Sequence, residues 1–241
     1  DPHAPYRPPK GFEEKYANPA ETDKFNEHYR AMLDKRQYGG GAVFTRETVR
    51  ARGLDPDRFL QQAIDRYDGE IAFCDNSFGQ LVKKLKDLGT LDNTLIVVVS
   101  DHGEEFWDHG FTAHGHSLYH ELLHTLLFFW NPKLLPAPRR VSETVQLIDI
   151  SPTILELAGV EPQGILQGAS LVPLLKGSTF NRKGPVMSSK LPHPMARPDG
   201  FIPENRTGAF AIWESDWKMI YRDQAKLARV KETELYDRRK D

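Results

Sequence analysis

From about Asp57 to Leu88, apolar residues recur every three or four positions: Phe59, Ala63, Tyr67, Ile71, Cys74, Phe78, Leu81, Leu85 and Leu88. That period marks one face of a long helix, and Gly89 supplies its stop. Glu70 lies beside Ile71 in the same stripe. After the turn TLDNT the pattern changes to LIVVVS, a continuous β-branched run. Such a run predicts a strand covered on both faces, as in a parallel sheet under helices. Residues 117–124 predict a short helix and LLFFWNP a second buried strand. SPTILELAG predicts a helix with Ser151 as N-cap, Pro152 at the first position and Gly159 at the end.

Toward the N-terminus the punctuation is heavier. Residues 1–20 hold five prolines and are predicted to be extended. Residues 21–36 place Phe25, Tyr29 and Met32 on one helical stripe, and YGGGAVF breaks it. Residues 178–208 are proline-rich and read as irregular. The tail GAFAIWESDWKMIYR followed by ETELYD alternates apolar and polar around a turn at Glu214–Asp216. It predicts a small antiparallel sheet from about residue 208, with Trp213 and Trp217 packing beside the turn. Helix, turn, buried strand and polar loop in succession make the class α/β. The expected division is 1–207 for the α/β part and 208–241 for the small sheet.

Composition narrows the choices. A net charge of −2 over 241 residues gives no general attraction to nucleic acid or anionic membranes. No apolar run approaches the roughly 20 residues of a membrane span. The single cysteine, Cys74, cannot form an internal disulfide and lies on the apolar helical face.

The candidate chemistry sits after LIVVVS. Six of the nine histidines fall between residues 102 and 124: His102, His109, His114, His116, His120 and His124. Ligands of open α/β sheets bind beyond the carboxyl ends of the strands, where Asp101 and His102 stand, and Gly103 permits a sharp turn there. Two readings follow from the residues alone. Asp101 caps the next turn while His102 faces solvent, or the pair forms half of a divalent metal site from one oxygen and one imidazole. His120 and His124 are four apart on the short helix, and His28 and His193 have no supporting context.

SDHGEEFWDHGFTAHGHSLYHE resembles the sulfatase family of the alkaline phosphatase superfamily. DPHAPYRPP is similar to its Pro-His-x-Pro segment, and YDGEIAFCDNSFGQLVKKLKDLGTLDNTLIVVVSDHG to its passage from helix to metal-binding strand. VQLIDISPTILELAGVEPQGILQGASLVPLLKG resembles its Asp-x-x-Pro-Thr helix and Gly-x-Ser-Leu loop. WESDWKMIYR and ETELYDRRKD resemble its C-terminal sheet. The resemblance implies an alkaline-phosphatase-like sheet flanked by helices and a metal-dependent sulfuric ester hydrolase. It makes Asp101 and His102 ligands of one divalent cation. That ion is calcium by resemblance, with manganese or zinc as alternatives because His102 stands where many sulfatases have Asn. It makes His3 and His114 catalytic and substrate-binding, with His116 as an alternative anion contact, and assigns His120 and His124 to packing or the surface.

The family's Cys/Ser-x-Pro-x-Arg nucleophile motif and its N-terminal aspartate pair do not occur in these residues. The expectation is therefore the C-terminal part of such an enzyme, working with a missing N-terminal half of the same enzyme on a small-molecule or saccharide anionic ester. Phosphodiester or phosphonate monoester hydrolysis, or phosphoryl-group transfer, is the alternative within the superfamily. A non-catalytic metal-binding or interaction module is the alternative outside it. The resemblance leans toward a secreted or periplasmic location without fixing it.

Overall fold

The structure, a computed structural model, describes residues 2–18, 25, 27–28, 44–182, 184–191, 208–223 and 231–239. The chain divides into two compact units. The first comprises Asp1–Leu91, His102–Gly115 and Glu121–His124; the second comprises Asp92–Asp101, His116–His120 and Thr125–Asp241. No helix among the described residues is long and apolar enough to cross a membrane.

The first unit is built on the long helix. A short helix, α1 (Arg46–Arg50), begins at Thr45, whose hydroxyl accepts from Thr48 N–H at 3.2 Å. Helix α2 (Pro56–Asp87) begins at Asp55, whose carboxylate accepts from Arg58 N–H at 2.9 Å, with Pro56 in the first turn. It ends with Lys84 and Lys86 against the helix dipole and Gly89 at φ 67°. The sequence boundaries thus hold to within a residue. The apolar stripe divides, however. Phe59 and Ala63 join Tyr6, Phe25, Phe44, Val49 and Trp107 in a buried cluster. Each phenylalanine and the valine there contribute about 1.5–3 kcal/mol of transfer free energy. Farther along, Ile71, Leu81 and Leu88 are exposed. Phe25 and His28 are helical as expected, His28 exposed; Tyr29 and Met32 lie outside the described residues, as do the triple glycine and His193.

The initial segment lies on α2. Gly69 is the reason it can approach: an added Cβ would stand 3.0 Å from Pro8 and from the Phe12 carbonyl. Arg66, buried, reaches Glu13 at 3.3 Å and lies 4.4 Å from the Phe25 ring centroid. Strands β2 (Glu105–Phe106) and β3 (Thr112–Ala113) form a hairpin. The buried Glu105 carboxylate receives the N–H groups of His109 (2.9 Å) and Phe111 (2.8 Å), closing the loop from inside. Trp107 and Ala113 hold positive φ there, a strain only a well-tied loop sustains.

In the second unit β1 (Ile96–Val99) pairs with β4 (Leu127–Trp130), separated in sequence by α3 (His120–Leu123). The pairing corrects the sequence reading: it is antiparallel, in a two-stranded ladder among the described residues. Val99 and Phe128 are exposed and the rest of β1 is half-buried. A run of β-branched residues encodes strand and covered surface, but carries no information about partner direction. Helix α4 (Ile150–Ala158) ends at Gly159 as expected, but Ser151 is not its cap. A 3-10 turn, Leu147–Asp149, runs directly into the helix and leaves Ser151 inside it. Asp149 organises this corner. Fully buried, it accepts from Gln146 N–H (2.8 Å), from Ala169 N–H (2.9 Å) and from the Arg182 guanidinium. Thr153 donates to the Asp149 carbonyl and accepts from Leu171 N–H, just before α5 (Val172–Lys176).

The C-terminal sheet has the order β5 (Val186–Lys190), β6 (Ala209–Glu214), β7 (Trp217–Arg222), β8 (Thr233–Asp237), all antiparallel. The hairpin turns at Ser215, φ 52°, as expected. The stretch read as irregular contributes β5 to this sheet. Trp213 lies under the Lys218 ammonium at 5.0 Å, whereas Trp217 is exposed rather than packed. At the opposite end Glu234 gathers Tyr236 (2.6 Å), Tyr119 (3.1 Å) and Arg222 (3.1 Å). Burial raises the Glu234 carboxyl, but the Tyr236 hydroxyl and Arg222 outweigh it and leave its pKa lowered.

Two predictions follow. A depressed carboxyl contributes stability that is present above its unfolded pKa of about 4.3 and is lost as pH falls through the folded value. Glu234→Gln should therefore lower the melting temperature near pH 7 while flattening the loss of stability below about pH 4; an unchanged acid limb in thermal melts would contradict the role of Glu234. Gly103 is the second. It does not adopt positive φ, so turning is not why glycine stands there; its N–H donates to the Leu122 carbonyl at 2.9 Å and an added Cβ would lie 1.9 Å from the Glu121 carbonyl. Gly103→Ala should cost about 2–4 kcal/mol in denaturant unfolding, because the obstructing atom is backbone.

Candidate active site

Three side chains of the first unit converge. His3 comes from the extended initial segment, His102 from the turn after Asp101, and His114 from the residue after β3. One ring nitrogen from each lies within 4.8 Å of the other two. The rings of His102 and His114 stack at 3.9 Å and 25°. His3 meets His114 edge-on at 4.7 Å and His102 at 6.0 Å.

Each ring is oriented by a partner. His3 Nδ1 lies 2.6 Å from the Ala4 carbonyl and His102 Nδ1 lies 2.9 Å from the Gly103 carbonyl. A carbonyl oxygen only accepts, so both Nδ1 atoms carry hydrogen and the neutral ring has its lone pair on Nε2. His114 Nδ1 stands 3.0 Å from Glu104 Oε1. Glu104 is buried, and its second oxygen has no hydrogen-bond partner among the described residues. Backbone carbonyls and a carboxylate behind imidazoles are the usual outer partners of metal-binding histidines, fixing tautomer and ring direction. A neutral imidazole turned in this way fits a divalent cation at His102, with a ring nitrogen of His3 and of His114 within 4.8 Å.

The supports reach into the fold. Glu70 on α2 is buried, and its two oxygens accept from His3 N–H (3.0 Å) and Arg7 N–H (2.6 Å). Burial pushes its carboxyl up, against the pull of those donors. The Tyr67 phenol is also raised, first by burial and then by the Glu104 carboxylate. On the hairpin side, Thr112 accepts from Phe44 N–H at 3.0 Å and Trp107 donates from Nε1 to the Phe44 carbonyl at 2.8 Å. These bonds tie the strand that delivers His114 to the aromatic core.

The other sequence candidates are placed as follows. Asp101 is exposed, directly after β1 and one residue before His102. His116 is buried. His109 is exposed with Nδ1 2.7 Å from Glu121, and His120 and His124 are exposed. Glu70 and Glu104 had no assigned role in the sequence reading. A carboxylate inside an apolar helical stripe was the available signal for Glu70, and the acidic pair after Gly103 was the signal for Glu104.

Known proteins resemble this chain over most of its length. The Sulfatase family model matches residues 1–160, and the model for the C-terminal region of N-sulphoglucosamine sulphohydrolase matches residues 107–241. Arylsulfatase K of Xenopus laevis is 31% identical over 155 residues, covering 64% of this chain and 28% of its own. The chain thus spans well under half the length of that relative. A phosphonate monoester hydrolase of Agrobacterium radiobacter superposes with a TM-score of 0.63 at 26% identity, covering 76% of this chain and 36% of that one. A protein solved with its substrate D-glucosamine-2-N,6-O-disulfate gives 0.62 at 25% identity, covering 94% and 42%. With α/β architecture, a small C-terminal antiparallel sheet and a family model matched over 160 residues, the chain belongs to the sulfatase family, within the alkaline phosphatase superfamily.

Proposed function

We propose that this chain carries the cation and anion contacts of a metal-dependent sulfuric ester hydrolase acting on anionic saccharide esters. The observation that supports it most is the group His3, His102 and His114, with every Nδ1 engaged by a carbonyl or carboxylate. Asp101 and His102, adjacent in the chain, are assigned to one divalent cation. An imidazole donor favours manganese or zinc over calcium, which prefers oxygen ligands throughout. Such a cation, when bound, offsets the charge that develops on the transferred group.

The remaining work falls to the imidazoles. His114, held by Glu104 through Nδ1–H, donates Nε2–H to an oxygen of the sulfate in its imidazolium form. His3, held at its backbone by Glu70, acts in its doubly protonated form: Nε2–H faces the ester oxygen that leaves with the saccharide and gives it the proton as the S–O bond breaks, returning the ring to the neutral Nδ1–H form. Hydrolysis of a sulfate ester is supported by family membership and by the arylsulfatase relative. The saccharide is supported by the glucosamine disulfate bound in the similar structure. A phosphonate or phosphate ester is the second reading, favoured by the similar phosphonate monoester hydrolase.

The test is metal analysis beside hydrolysis of aryl sulfate and aryl phosphonate esters by the complete protein. Asp101→Ala should lose both the metal and turnover. His114→Ala should keep most of the metal and lose about 100-fold or more in kcat/KM. His120→Ala, on an exposed position, should change neither. Metal lost in His120→Ala but kept in Asp101→Ala would overturn the assignment. Faster turnover of the phosphonate than of the sulfate would select the second reading.

A further inference from the structure

Beside His3 the first unit has an open cleft of about 470 Å³, within the usual size of small-ligand sites. Its walls are His3, Pro5, Arg7, Pro9, Glu70 and Phe73. The polar content is uneven. Glu70 has turned both oxygens to backbone N–H groups, so its charge is spent inward. The Arg7 guanidinium is exposed and forms no ion pair among the described residues. Five donors in a rigid fork therefore border the cleft without an acceptor among the described residues.

Arg7 is also well placed. Its backbone N–H and that of His3 donate to the two oxygens of one carboxylate, so both side chains start from backbone positions held against α2. His3 belongs at once to this cleft and to the three-histidine group. A ligand with one anionic group at the histidines extends naturally past His3 toward Arg7. Phe73 and the prolines offer flat, stiff apolar surface, suited to the C–H face of a sugar ring.

We propose that this cleft is a second anion subsite, where Arg7 pairs with a further sulfate or carboxylate on the saccharide whose scissile ester lies at His3, His102 and His114. The inference rests on the hydrolase reading and gives it a substrate class: saccharides with at least two anionic groups. A planar guanidinium meets either oxyanion through two parallel hydrogen bonds, which a lysine cannot reproduce.

Calorimetric titration of the complete protein with glucosamine 2-N,6-O-disulfate and with glucosamine 6-O-sulfate tests it, in wild type, Arg7→Ala and Arg7→Lys. Wild type should prefer the disulfate, and Arg7→Ala should cut the ratio of the two affinities roughly 10- to 100-fold. Arg7→Lys should fall between them, and melting temperatures should not move, since the side chain is exposed. Equal losses for both sugars, no loss for the disulfate, or no wild-type binding of either would overturn the subsite. Turnover of the 6-sulfate, followed in parallel, separates the two ideas. Preference without turnover keeps the subsite and removes the hydrolase reading, whereas turnover without preference does the reverse.

Discussion

The first unit depends on one carboxylate. Glu70 projects from α2 and binds the N–H groups of His3 and Arg7, five positions of extended, proline-rich chain with little other backbone pairing. Burying a charge is costly, and the upward displacement of its pKa records that cost. Two charge-assisted hydrogen bonds offset it. Gly69, the preceding residue, clears the space through which Pro8 approaches the helix. Position and clearance come from consecutive residues on one helical turn, and His3 acquires its place in the histidine group as a result.

The same logic recurs on the hairpin. Glu105 closes the loop from inside, Glu104 turns His114, and Thr112 and Trp107 anchor the strand to Phe44. Each histidine ring is therefore turned by a backbone carbonyl or a carboxylate of the first unit, and the three rings then meet in stacked and edge-on contacts. A site built this way keeps its geometry before any ligand arrives.

Periodicity was enough to read α2, its stop at Gly89 and the C-terminal hairpin, because amphipathic period and turn chemistry are local. The strand end at Asp101 and His102 was legible for the same reason. Three things were not. The antiparallel partnership of β1 with β4 depends on how the chain returns after 27 residues, and a period-two or continuous apolar pattern looks alike in both directions. Strand β5 is a five-residue alternation among prolines, too short to outweigh its surroundings. Ser151 and Asp149 are both good helix-capping residues, and only the burial of Asp149 with Arg182 and Ala169 decides where the helix begins.

Asp149, Thr153 and Gly168 carry a consequence for how such a chain responds to random mutation. An added Cβ at Gly168 would stand 2.0 Å from the Ile148 carbonyl, and both Asp149 and Thr153 are fully buried with all their bonds made inside the unit. In an activity screen these positions would score as intolerant as any histidine of the site. Intolerance there would report assembly of the scaffold, so a map of essential residues would outline two regions and only one of them would meet substrate.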